Sequence, residues 1–169
     1  MNRSIYETDG VISLAEYVPE TDDTASYEAW QDSATIRGYN HRINCTFDEF
    51  AALPDRCRFH AAILRHADDA LIGEISISPE TSLPDLAIIL YPGYRGQGYG
   101  TAAFRLGVRY ALHTLKLPCL YAGCYEGNAA SRRMLEKCGF VPHPEGDVPE
   151  KDVFTGEDII QHDFVVYPD

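Results

Sequence analysis

Between residues 86 and 115 three unlike segments follow one another: the apolar run LAIILY, the glycine-rich hexapeptide RGQGYG and a helical pattern. The run Leu86 to Tyr91 is almost continuously apolar and reads as a strand buried on both faces. After Gly100, the residues Phe104, Val108, Ala111, Leu112 and Leu115 fall on one face of a 3.6-residue period, with Arg105, Arg109, His113 and Lys116 mostly elsewhere. A strand, a glycine turn and an amphipathic helix in this order aim the first amides of the helix back at the turn. Those amides lack intrahelical partners and carry the positive end of the helix dipole, which makes an anion site, most naturally for phosphate. Three glycines, Gly96, Gly98 and Gly100, raise the entropic cost of ordering the loop. Either a tight turn or a ligand lying against the backbone can offset it. The spacing matches neither common phosphate motif. No Gly-Lys-Ser/Thr is present, and Gly96-x-Gly98-x-Gly100 followed by Thr101 is not the dinucleotide fingerprint. Alone, the hexapeptide is also readable as a turn and nothing more.

The rest of the chain frames this unit. VISLAEYV (11–18) reads as a first strand, and Asp22 to Asp32 as a helix whose apolar contacts are Ala25, Ala29 and Trp30. TFDEFAAL (46–53) reads as a short helix in which Thr46 and Glu49 form a capping box. RFHAAILRHAD and ALIGEISISP are two strands around an Ala-Asp-Asp turn, and residues 78–84 form a loop. Further strands are expected at 120–125, near Phe140-Val141 and at 162–168, with a helix from Asn128 to Lys137. There is no internal repeat, low-complexity tract or linker, so residues 1–169 are expected to form a single α/β domain. The opening MNRSIYETDG lacks the apolar centre of a signal peptide, and no apolar run reaches the about 18 residues that cross a bilayer. A soluble, cytoplasmic chain without a membrane partner is expected. The five cysteines include no CxxC pair and read as buried, reduced thiols; the six histidines show no zinc-like spacing, so no metal is expected. A net charge of −12 disfavours nucleic acid as a partner.

A second segment, GNAASRRMLEKCGF (127–140), lies about thirty residues downstream, with Asn128 as helix cap and Gly139 as helix stop. Together RGQGYG and GNAASRRMLEKCGF resemble the GCN5-related N-acetyltransferases, the GNAT superfamily. Asn128, Ser131, Arg132, Lys137, Gly139 and Phe140 resemble its ribosomal-protein N-terminal acetyltransferase branch. The usual arginine of that branch is absent from the first strand. The resemblance implies a mixed central sheet of about six to seven strands flanked by about four helices, splayed between the fourth strand (86–91) and the fifth (120–125). It implies acetyl-CoA as cofactor, with pyrophosphate at Arg95, Gly98 and Gly100 of the family's Arg/Gln-x-x-Gly-x-Gly/Ala motif. The cofactor set is then Leu90, Tyr91, Arg95, Gly96, Gln97, Gly98, Tyr99, Gly100, Thr101, Asn128 and Ser131. In it the amides from Gln97 to Thr101 face the pyrophosphate, Arg95 adds charge, and a backbone amide near Leu90 or Tyr91 polarises the thioester carbonyl.

Acetyl transfer to an amine requires a neutral amine, a polarised carbonyl and a proton for the departing thiolate. A lysine-like amine is roughly one part in two thousand neutral at pH 7, so a base or a water chain to a carboxylate serves. By resemblance Asp85 stands where many relatives carry such a carboxylate; its plainer reading is a solvated acid at a strand start. Glu74 lies on the face of Ser76 and Ser78, which reads as wet. Many relatives donate the thiolate proton from a tyrosine seven residues after the capping Asn, where this chain has Leu135. Ser131, three residues after Asn128, matches a serine near the thiol in the ribosomal-protein branch and is otherwise an ordinary first-turn serine. Tyr125 lines the same slot or packs. The expected activity is direct acetyl transfer to a primary amine, a protein N-terminus or a small cationic amine. No cysteine has an identifiable His partner for a covalent route. The alternative is an acyl-CoA-binding sensor without turnover. A homodimer is compatible with the family, and the acceptor is not legible.

Overall fold

A computed structural model describes residues 3–169; Met1 and Asn2, which begin the segment read for a leader, lie outside the described residues. β1 (Ile5–Thr8) and β2 (Ile12–Glu16) form a hairpin. The helices α1 (Pro19–Gln31), α2 (Ser33–Tyr39) and α3 (Phe47–Ala51) follow, then β3 (Phe59–Arg65), β4 (Ala70–Ile77) and β5 (Leu86–Leu90). These five strands pair in chain order into one antiparallel sheet. The second half supplies α4 (Tyr99–Arg109), β6 (Leu120–Tyr125), α5 (Ala129–Lys137), β7 (Val141–Pro142), β8 (Val148–Lys151) and β9 (Asp158–Val166). β9 pairs with β6 along one edge and with β7 and β8 along the other.

Local chemistry explains the helices. Pro19 opens α1, where its missing N–H costs nothing, and the Asp22 carboxylate takes the orphan Val18 N–H at 3.0 Å. Asp22 also pairs with Arg3, so its burial is compensated. Asp32 caps α2 by accepting the N–H groups of Ala34 and Thr35, both at 3.1 Å. The capping box expected at Thr46 and Glu49 is present on α3. The apolar stripe of α4 and of the π-helical turn that continues it (Tyr110–Thr114) lies on one face of the first sheet, where Phe104, Ala111 and Leu112 join a core with Ile63, Ile75, Ile77 and Leu86. On the opposite face α1 sets Ala29 against Ile89 and Tyr91, with Ala25 and Trp30 packed alongside.

Several expectations change. The sheet is two sheets, five strands and four, and the described residues hold nine strands and five α-helices instead of six to seven and about four. The additions are short or polar: β1, β8 and the seven-residue α2 carry too few apolar residues for periodicity to reveal them. β5 packs on both faces, Leu86 in the core under α4 and Ile89 against α1, but Ala87, Ile88 and Leu90 are only half-buried. Of the five free cysteines only Cys124 is buried, and Cys57 is exposed. No helix among the described residues is long and apolar enough to cross a membrane.

Candidate active site

The two sheets meet at one point. Asp85 bridges Tyr121 in parallel, and the Tyr121 N–H donates to the Pro84 carbonyl at 2.8 Å. Beyond this seam β5 and β6 diverge, as the resemblance implies for these two strands. A cleft of about 400 Å³ opens between them, reached also by α2 and α5. The register decides which groups face it. The Tyr91 N–H donates to Ile72 at 2.9 Å and the Asp85 carbonyl accepts from Ser78 at 3.0 Å. Odd-numbered residues of β5 therefore bond to β4, and the polar groups of Ile88 and Leu90 point into the cleft. Their carbonyls are occupied: the Tyr39 hydroxyl donates to Ile88 at 2.6 Å, and Arg95 Nε donates to Leu90 at 2.9 Å. What remains on this edge is the N–H groups of Ile88 and Leu90. The assignment of a polarising amide to Tyr91 is thereby corrected, because that N–H is bound in the sheet. Its side chain is buried, with the hydroxyl on Glu74 at 3.0 Å.

At the open end of the cleft lies the glycine loop. Gly96 and Gly98 have φ of 73° and 88°, a left-handed backbone that favours glycine. Gly100 has no such requirement, and a Cβ there would meet Leu90 and Met134 at 3.4 and 3.6 Å, ordinary contacts. Among the described residues the N–H groups from Gly96 to Thr101 have no hydrogen-bond acceptor. Gln97 and Thr101 lie at the two ends of the amide run expected to face a phosphate, Tyr99 opens α4, and Gln97 Nε2 closes the loop on the Gly93 carbonyl at 2.8 Å. Arg95 differs from expectation. Its guanidinium is engaged within the chain, with Nη1 on Asp32 at 2.7 Å, Nη2 on Thr35 at 2.8 Å and Nε on Leu90. It braces the loop against α2.

α5 closes the other side of the cleft. Asn128 caps it by accepting the Ser131 N–H at 3.1 Å. Ser131 lines the cleft, and its hydroxyl has no hydrogen-bond partner among the described residues. Leu135 is 1% exposed and belongs to the core.

The two candidate carboxylates part company. Asp85 lines the closed end of the cleft, and its side chain accepts no hydrogen bond among the described residues. Burial, then repulsion from Asp163, pushes its carboxyl up to about 7. Glu74, expected on a wet face, is instead buried beneath α1, where Ser26 Oγ and the Tyr91 hydroxyl donate to it at 3.1 and 3.0 Å. Burial raises its pKa as well, but it does not line the cleft. Tyr125 does line the cleft, with its hydroxyl donating to Glu150 at 2.9 Å; burial and this bond raise the phenol above its ordinary range. Among the described residues no group of three or more His, Cys, Asp or Glu is placed to hold a metal ion. Sequence reasoning missed Asp32, Thr35, Tyr39 and Gln161, which also line or brace the site. Asp32 carried the one available signal, a capping residue before a short helix, which was read as the end of the helix before it.

Comparison with known proteins agrees with this geometry. Residues 7–141 match a family described as Acetyltransferase (GNAT) domain. The chain is 39% identical over 119 residues to the probable N-acetyltransferase YjcK of Bacillus subtilis (strain 168), an alignment that covers 68% of this chain and 63% of that protein. It therefore spans less than two thirds of that relative's length. A spermidine N-acetyltransferase from Vibrio cholerae, solved with CoA and spermine, superposes with a TM-score of 0.82 at 17% identity, over 94% of this chain and 96% of the other. A putative ribosomal-protein-serine acetyltransferase, also from Vibrio cholerae, gives 0.69 at 16% identity over 95% and 96%. Family match and fold coincide, and the chain belongs to the GNAT acetyltransferase family.

Proposed function

We propose that this chain moves an acetyl group from acetyl-CoA directly to a cationic primary amine, with Asp85 accepting the ammonium proton. The observation that carries the reading is the polarity of the cleft: backbone donors at one end, a lone carboxylate at the other. Acetyl-CoA fits the donor end. The unpartnered amides from Gly96 to Thr101 would hold its pyrophosphate, and the Ile88 and Leu90 N–H groups face the slot where a thioester carbonyl needs a donor. Bound there, it supplies an acyl group on a good leaving thiol.

The chain's own residues then have separate tasks. Asp85 takes a proton from the acceptor nitrogen, which an acid held near neutrality does reversibly. Ser131 offers its hydroxyl from the first turn of α5 as a hydrogen-bond donor at the cleft wall. Leu135 has no proton to give. Gln161 and Tyr125 line the cleft beside the acceptor path. A net charge of −12 favours a cationic acceptor, and the polyamine bound to the Vibrio cholerae neighbour supports the same class.

The test is a free-thiol release assay with spermidine, lysine methyl ester, a serine-initiated peptide and an aminoglycoside. Turnover is expected with a cationic amine and should rise with pH. Acetyl-CoA binding without turnover on any of them would instead make the chain an acyl-CoA-binding sensor.

A further inference from the structure

Acylation of an ammonium leaves a proton over at each turnover. Two N–H bonds break, the N–C bond forms and the C–S bond breaks. Of the two protons that the nitrogen sheds, one ends on the thiolate sulfur and the other must leave. In the reading above, on which this inference rests, Asp85 receives that second proton. It does so where β5 and β6 meet, at the Asp85–Tyr121 seam.

The second sheet provides a continuation. Tyr121 is two residues before Gly123 on β6, and Gly123 pairs with Asp163 on β9, so Asp163 projects on the same face as Asp85 and diagonally from it. Gly123 lies between them without a side chain. A Cβ there would come within 2.9 Å of the Gln161 amide, which packs against the gap. Asp163 is next in contact with His143, whose Nδ1 lies 2.9 Å from its carboxylate. The other ring nitrogen of His143 lies 3.5 Å from Glu145, whose side chain is 84% exposed.

We propose that Asp163 and His143 form a proton exit, relaying the proton from Asp85, where β5 and β6 meet, to solvent at Glu145. His143 and Asp163 act here as positioning and relay residues, since neither lines the cleft. The other ionisable neighbours are spectators. Tyr39 from α2 and Tyr121 from β6 have raised phenol pKa values and stay neutral. Asp147 accepts the Asp163 N–H and pairs with His162, which hold it below the usual carboxylate range and therefore ionised.

His143→Ala tests the route, with spermidine as acceptor probe or whichever of the four amines turns over. In dilute buffer kcat should fall about fivefold or more with KM changed less than about twofold, because a relay acts after binding. Added imidazole should restore the rate and saturate, and wild type should be indifferent to it. The free protein gives an independent readout. The His143 ring protons, followed by NMR against pH, should show a second inflection near that of Asp85, absent in Asp85→Asn. A wild-type rate for His143→Ala, a deficit that imidazole leaves unchanged, or a single inflection overturns the relay. If His143→Ala does not fold, His143→Gln keeps a donor toward Asp163 and carries the same test. Should Asp85→Asn leave the pH–rate profile as in wild type, the reading of Asp85 as the base fails. A flattened Asp85→Asn profile with imidazole-insensitive His143→Ala removes the exit alone.

Discussion

Arg95 Nη1 donates to the Asp32 carboxylate at 2.7 Å, and through this contact the glycine loop is braced by the residue that caps α2. Asp32 accepts donors from three residues at once, and Arg95 chiefly holds its carboxyl below the usual carboxylate range. Both side chains are partly exposed, so the pair alone is worth no more than about 1 kcal/mol. The sign follows from the depressed carboxyl: its stabilisation is present above about pH 4 and is lost as pH falls through the lower folded value. Arg95→Ala and Asp32→Asn should each weaken acetyl-CoA binding through the loop. Their effects should be less than additive in a double-mutant cycle measured by calorimetry. Additive effects would return Arg95 to a direct role on the anion.

The three glycines should separate by mutation. Gly98→Val forces a branched residue to φ 88°, a strain of about 1–2 kcal/mol or more, and places a side chain beside the free amides. Acetyl-CoA affinity should drop about tenfold or more with the circular dichroism unchanged, since the exposed loop holds no core. Gly100→Ala should bind nearly as well as wild type, because its contacts are ordinary. Equal losses at both positions would refute the division.

Asp85→Asn should trade activity for stability. A carboxyl raised to about 7 holds its proton in the folded state between about pH 4 and 7, while the unfolded chain has released it. Stability therefore falls as pH rises through that window. The amide should be more stable than wild type at pH 8 by about 1–3 kcal/mol, read from denaturant midpoints. The same variant should lose the rise of rate with pH. Unchanged stability at pH 8 would mean that the carboxyl is ordinary.

Ser131→Ala and Leu135→Ala should fail in opposite ways. The Asn128 cap uses the Ser131 N–H and not its hydroxyl, so Ser131→Ala should keep stability within about 0.5 kcal/mol. If the hydroxyl assists the leaving thiolate, kcat falls while KM for the amine holds. Leu135→Ala removes a buried core side chain and should cost about 2–4 kcal/mol, with kcat of the folded fraction close to wild type.

The legible parts of this molecule were those with a strong local signature. β4, β6, α5 and the Thr46 cap could be read because periodicity or capping is set by near neighbours. The glycine loop was legible for the same reason. Glu74 was misread because alternation on β4 says that it leaves the α4 face, not that α1 will cover it. The contacts of Arg95 with Asp32 and Thr35 were not legible because those partners lie about sixty residues earlier, beyond any local pattern. The Asp163–His143 contact joins β9 to the turn after β7 and has no sequence signature at all.

The occupied carbonyls on β5 also bear on self-association. A free strand edge normally displays donors and acceptors alternately, which is what a foreign strand needs in order to add itself to the sheet. With Tyr39 on the Ile88 carbonyl and Arg95 on that of Leu90, an incoming backbone would find amides to receive its carbonyls and nothing to receive its own N–H groups. The edge is thus poorer in free acceptors than in donors, which suits a guest that carries acceptors.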